Sequence, residues 1–235
     1  MDSKKTIIFL HGWGVSSKIF GPLFYYFKND FTVYSPDLPG FGETPIKNIM
    51  TLKDYADFVY KFVKDENIEK PIIIGHSFGG AVAAKFAINY PDTASLLVLV
   101  GASSIREPNL KTKLLGKAAG ILKYFIPKKM RKTILKIFKL DASDYALIES
   151  PLLKETFKNL IKENLAAELP MIKIPALIIW GEKDAETPLK EGQKIAELIP
   201  SAKFAIIKNA GHFVFLQKPD EFTKLIREFC LEIKN

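Results

Sequence analysis

The strongest constraint on how this chain can fold is a rhythm. Short apolar runs return along it, with longer amphipathic stretches between them. The runs are TIIFL at 6–10, FTVYS at 31–35, 71–75, LLVLVG at 96–101, ALIIWG at 176–181 and AKFAII at 202–207. Most are continuous and rich in Ile, Val and Leu, as strands buried on both faces are. Helical periodicity falls near 52–65, 78–89, 189–198 and 219–233, with Pro91 just past the second of these and Pro219 placed to open the last. Strand and helix alternating in this way predict an α/β fold, a mostly parallel sheet flanked by helices.

The alternation breaks between Ser103 and about Pro170. Leu110, Leu114, Ala118, Ile121, Leu122 and Phe125 form one helical stripe, and Met130, Ile134, Ile137 and Phe138 form another beyond Pro127. A third helix is expected over 152–168. This segment reads as a helical cap, 103–170, inserted between two strands of a core made of 1–102 and 171–235. Pro170 and Pro175 bracket the return to the sheet.

The chain has 235 residues, 48% of them hydrophobic and 26% charged, enough for one sizeable core. Its net charge of +8 is unevenly spread. Between Arg106 and Lys139 stand eleven Lys or Arg and one acid, so the excess of cations belongs to the cap alone. That argues against a general nucleic-acid role. Within the cap, lysines facing water beside apolar stripes are the simplest reading. Docking of an acidic partner, such as an acyl carrier protein or an anionic substrate, is a second, and an anionic lipid surface a third. Cys230, the single cysteine, excludes a disulfide framework and a cysteine-rich metal site, and it shares an apolar helical face with Phe222, Ile226 and Phe229. The N-terminal apolar run is too short for the core of a signal peptide, and no run reaches membrane-spanning length. A cytoplasmic location is the expectation.

Residues 72–80 read IIIGHSFGG. Ser77 lies between glycines at i−2 and i+2, at the junction of a predicted buried strand and a predicted helix. In that context a sharp turn lifts the serine above the sheet at a helix N-terminus, where the Phe78 amide can stabilise an oxyanion. A serine nucleophile needs a base, and there are three histidines. His76 adjoins Ser77, and neighbours at a sharp turn point apart, so a supporting role fits it. His11 follows a strand in LHGWG; it is expected to shape the loop there, with a direct substrate contact as the alternative. His212 follows the 202–207 strand in a loop that can reach the site from the sheet's carboxyl edge, and is the expected general base. Asp184, just past the 176–181 strand, is the expected orienting carboxylate, with Glu182, Glu186 and the more distant Glu107 as rivals and an Asx turn as its plainer role. Asp37 is expected to pin the turn through Pro39 and Gly40.

These residues sit in motifs that stand in order: LHGWG at 10–14, DLPGFGET at 37–44, GHSFGG at 75–80, WGEKDAETP at 180–188 and AGH at 210–212. Together they resemble the α/β-hydrolase family from the first strand to the last helix. The resemblance implies Ser77 as nucleophile, His212 as base, Asp184 as orienting acid, and the amides of Trp13 and Phe78 as the oxyanion hole, with no metal and no cofactor. The sequence departs from the family in one way: its first strand starts almost at Met1, so the two antiparallel strands that often precede it are expected to be absent or nearly so. Gly12, Trp13, Phe41, Phe78 and Phe213 flank the expected site as core packing, as an apolar acyl or alcohol pocket, or as both.

The expected activity is hydrolysis of small to medium carboxylic esters through an acyl-enzyme. The same triad can serve C–C bond hydrolysis, acyl transfer or carrier-linked ester hydrolysis, since one fold hosts many chemistries. A non-catalytic ligand-binding protein on the same fold is the alternative of another class.

Overall fold

The computed structural model describes residues 4–105 and 150–232. Six strands form one parallel sheet: β1 (Lys5–Leu10), β2 (Phe31–Tyr34), β3 (Ile72–His76), β4 (Leu96–Val100), β5 (Ala176–Gly181) and β6 (Ala202–Ile207), in the order β2-β1-β3-β4-β5-β6. The helices are α1 (Gly21–Phe27), α2 (Leu52–Asp65), α3 (Phe78–Asn89), α4 (Pro151–Leu160), α5 (Leu189–Leu198), α6 (Val214–Gln217) and α7 (Pro219–Glu232).

The continuous apolar runs have a direct cause. Successive side chains of a strand point to opposite faces, and both faces are covered here. Ile8 and Leu10 of β1, Ile73 of β3 and Leu97 and Leu99 of β4 join one core with residues of α2, α3 and α5. Ile7 and Phe9, Ile72 and Ile74, Leu96 and Val98 join the other, with residues of α1 and α7. Helix α3 is apolar on nearly every side because it is buried on nearly every side; its Lys85 reaches out 2.6 Å to Glu168. Helix α2 starts on a capping box, in which the Thr51 hydroxyl accepts from the Asp54 amide and the Asp54 carboxylate accepts from the Thr51 amide.

The order of the strands positions the site. The chain runs from β1 outward to β2, then crosses back to β3 on the other side of β1. The connections therefore diverge between β1 and β3 and leave a crevice beyond their carboxyl ends, the place where open α/β sheets bind ligands. Leu10 pairs with Gly75 there, and His76 with Val100.

Of the expected cap, the stripes at 110–125 and 130–138 and the cationic segment 106–139 lie outside the described residues. The helix expected over 152–168 is shorter than its periodicity indicated: α4 ends at Leu160. Two competitors stop it. The Leu165 amide donates to the Ser104 carbonyl at 2.9 Å, which ties the chain to the loop after β4, and the Asn164 side chain accepts from the Ala166 amide at 3.1 Å. Helix α1 answers to no expectation from periodicity; it has little more than Pro22 in its first turn and the buried pair Leu23 and Phe27 to mark it.

Packing of α3 on the sheet leaves no room for side chains at two positions. A Cβ at Gly75 would stand 2.2 Å from the Gly79 carbonyl oxygen, and one at Gly79 would stand 2.2 Å from that of Leu10. The obstacles are backbone atoms, so no rotamer change relieves them. Gly79→Ala is accordingly expected to destabilise the protein by about 2 kcal/mol or more, read as a lower urea midpoint; a midpoint equal to the parent's would contradict this packing.

Candidate active site

Ser77 is the N-cap of α3 and holds φ 53°, ψ −116°. A non-glycine residue there is strained, at a cost on the order of 1–3 kcal/mol, and persists only where its surroundings impose it. They do so here on three sides. The Ser77 amide donates to the Val100 carbonyl at 2.9 Å, and its carbonyl accepts from the amides of Gly80 at 2.9 Å and Ser103 at 3.1 Å. The turn from β3 into α3 is thereby locked, with the amides of Phe78 and Gly79 in the helix's first turn, where no intrahelical acceptor exists for them.

Asp184 follows β5, and His212 lies in the loop between β6 and α6. His212 Nδ1 is 2.8 Å from Asp184 Oδ2. A carboxylate only accepts, so Nδ1 carries the proton and Nε2 presents its lone pair, the form a general base requires. Asp184 is held in turn. Its Oδ1 accepts from the amides of Glu186 and Thr187, both at 2.9 Å, and its Oδ2 accepts from the Thr187 hydroxyl at 2.9 Å. The Asx turn and the contact to His212 are thus one structure, not rivals. Burial pushes the Asp184 carboxyl upward; the hydrogen bond and charge of His212 and the donors of Thr187 outweigh it and hold the group below the usual carboxylate range.

The rival acids stand differently. Glu182 accepts from the Asn209 amide at 2.9 Å. Glu186 is exposed and lies 3.5 Å from His212 Nε2, on the opposite side of the ring from Asp184. Glu107 lies outside the described residues.

Gly101, at the end of β4, marks where these loops meet: a Cβ there would be 3.1 Å from His212 Nδ1 and 3.2 Å from Asp184 Oδ2. Thr187 hydroxyl also approaches the Gly101 carbonyl, at 3.2 Å, and His212 Nδ1, at 3.3 Å. Thr187 was not legible as a site residue from sequence, although its place three residues after Asp184 fits an Asx turn. Trp180, wholly buried in β5, donates from its indole to the Thr187 carbonyl at 2.8 Å and steadies the same loop.

The two remaining histidines are buried and neutral. His11 Nε2 accepts from the Leu38 amide at 2.9 Å, so its proton is on Nδ1, which donates to the Gly12 carbonyl at 2.8 Å. It thus staples the loop carrying Gly12 and Trp13 to the segment after β2. Burial lowers its pKa. Asp37 takes the amides of Ser17, at 2.7 Å, and Glu43, at 2.9 Å, and so ties two turns rather than the Pro39–Gly40 bend alone. His76 Nε2 donates to the His212 carbonyl at 3.1 Å, which bonds the turn of Ser77 to the loop of His212. Burial first, then the nearby His212, pushes its pKa down to about 3.

A cavity of about 390 Å³ opens over Ser77, within the range of small-molecule sites. Trp13, Leu52, Phe78, Phe157 and Leu160 supply its apolar wall. Phe41 packs edge-on to Trp13, with ring centroids 4.9 Å apart, and Phe213 lies against His76 at 5.0 Å and His212 at 5.4 Å. Gly12 abuts Ser77; a Cβ on it would be 3.3 Å from the Ser77 Cβ. Among the described residues, no three His, Cys, Asp or Glu gather as a metal-binding set, and no helix is long and apolar enough to cross a membrane.

The family model described as "Alpha/beta hydrolase family" matches residues 7–225. A pimeloyl-(acyl-carrier protein) methyl ester esterase of Photorhabdus laumondii is 26% identical over 97% of this chain and 93% of its own length. One of the same name from Wigglesworthia glossinidia brevipalpis is 30% identical, covering 95% and 93%. The solved structure of a thermophilic esterase from Thermogutta terrifontis superposes with a TM-score of 0.74 at 22% identity, over 99% of this chain and 92% of that one.

His76 also makes a pH dependence. Its folded pKa lies below its unfolded value of about 6.5. Below that pH the unfolded chain takes up a proton that the folded chain does not accept until about pH 3. Stability therefore falls as the pH drops, by up to about 1.4 kcal/mol per pH unit from this residue. Urea unfolding between about pH 7 and pH 4 should show a shallower acid limb in His76→Gln, whose amide can still donate to the His212 carbonyl. An unchanged slope would refute the assignment.

Proposed function

This chain belongs to the alpha/beta hydrolase family, and on that footing we propose that it is a serine-dependent carboxylic ester hydrolase with Ser77, His212 and Asp184 as its catalytic residues. The observation that carries this reading is the 2.8 Å hydrogen bond from His212 to a buried Asp184, held at the sheet edge where Ser77 occupies its strained turn.

The chemistry follows from those positions. His212 Nε2 takes the proton of the Ser77 hydroxyl as the oxygen attacks the ester carbonyl. Asp184 keeps the imidazole in the needed tautomer and stabilises the imidazolium, without itself being protonated. The amides of Phe78 and Trp13 receive the tetrahedral oxyanion. His212 then protonates the departing alcohol, and water, activated by the same imidazole, releases the acid from Ser77. The apolar wall over Ser77 suits an acyl chain of small to medium size.

A second, finer reading is favoured by the relatives, whose names give them methyl esters of a pimeloyl group on an acyl carrier protein. The substrate would then be a small-alcohol ester of a carrier-linked acyl chain. The cationic segment 106–139 would offer the charge to meet an acidic carrier, and residues 103–170 would form the cap over the cleft.

Hydrolysis of p-nitrophenyl acetate and butyrate, with fluorophosphonate labelling, tests the first reading. Ser77→Ala should lose labelling and lower turnover by roughly 10⁴-fold or more. Asp184→Asn should keep the fold and lower kcat by roughly 10³-fold or more. Retention of most activity by either variant would sink the mechanism.

A further inference from the structure

Two buried side-chain polar atoms have no hydrogen-bond partner among the described residues: His76 Nδ1 and the Ser104 hydroxyl. The first is sealed behind Gly12, where a Cβ would stand only 3.2 Å from it. The second belongs to a residue that lines the cavity over Ser77. An unpaired buried hydroxyl forfeits its bonds to water and gains nothing in return, so native proteins rarely leave one without a use.

Ser104 is also held in place. Its carbonyl accepts from the Leu165 amide at 2.9 Å, and the preceding residue, Ser103, donates its amide to the Ser77 carbonyl at 3.1 Å. The loop is thus bonded to the nucleophile's own backbone. Standard bond lengths put the Ser104 hydroxyl no farther than about 11 Å from the Ser77 carbonyl oxygen. A group a few bonds from the reacting carbon can span that distance.

We propose that Ser104 is a specificity-determining residue, whose hydroxyl donates a hydrogen bond to a neutral oxygen, such as a ketone, that the ester substrate carries a few bonds from its scissile carbonyl. This rests on the ester hydrolase reading above. Neutrality follows from the same cavity, which Glu163 and Glu186 also line; a carboxylate on the substrate would meet charge of its own sign there. Ile105, Leu160 and Ile161 add apolar surface to the same cavity. A substrate lacking the oxygen would leave the hydroxyl dry and unpaired, and that penalty is what creates discrimination.

The test compares methyl heptanoate with three methyl oxoheptanoates, bearing the ketone at carbon four, five or six. In the parent enzyme one ketone ester should exceed methyl heptanoate in kcat/KM by roughly tenfold. In Ser104→Ala that ratio should fall to within about twofold, and the ratio cancels any loss common to both substrates. The free variant should melt at the same temperature or higher, because it lacks an unpaired hydroxyl. A flat ratio in the parent, as a water resident at Ser104 would produce, overturns the proposal whatever the variant does. So does a ratio that survives in Ser104→Ala, or a lowered melting temperature, which would mark a structural hydroxyl. If methyl heptanoate is hydrolysed without any ketone preference, only this inference falls. If no ester is hydrolysed and Ser77 takes no fluorophosphonate, the ester hydrolase reading falls and takes this one with it.

Discussion

The backbone of α3 meets the end of β1 with nothing between them. Gly79 lies so close to the carbonyl oxygens of Leu10 and His11 that even a methyl group would overlap them. That contact sets the distance between the helix and the sheet at the carboxyl ends of the strands. With the helix so near, the link from β3 must turn within a single residue, and Ser77 takes the strained angles that this requires. The strain is supported by the surrounding hydrogen bonds to Val100, Gly80 and Ser103. A serine hydroxyl at a helix N-terminus, beside amides that have no intrahelical acceptor, is the outcome of packing before it is a matter of reactivity.

The three histidines show how placement assigns a task to one residue type. His11 and His76 are buried, donate to carbonyls and are kept neutral, so each is a fixed strut. His212 alone donates a hydrogen bond from Nδ1 to a carboxylate and turns the other nitrogen toward the cavity side, where Glu186 stands. Asp184 in turn is oriented by Thr187, and that loop by Trp180. His212 is therefore positioned by a chain of hydrogen bonds that begins in the hydrophobic core, and His76 links it back to the turn that carries Ser77.

Much of the fold was legible in advance. Strands buried on both faces need apolar residues at every position, and such runs stand out; β5 and β6 occupy the expected 176–181 and 202–207. Helices α2, α3 and α5 are long enough for their period to be read. What was not legible had a different cause. Helix α4 stops where Ser104, distant in sequence, captures the Leu165 amide, and no local pattern records a competitor that arrives through folding. Asp184 stood among acids of similar spacing, and only the donors around it single it out. The contacts of the Thr187 hydroxyl with Gly101 and His212 come from distant segments and leave no local mark.

The sequence by itself determined the layers of the fold, the order of its strands along the chain and the candidate nucleophile, because burial on two faces and glycines flanking a serine both leave local marks. Tertiary structure decided which acid faces His212, which two histidines are buried as struts and which hydroxyl of the cavity wall has no partner among the described residues. Those outcomes turn on hydrogen bonds between segments far apart in the chain. A donor finds its acceptor only once the sheet has brought the loops to a common edge.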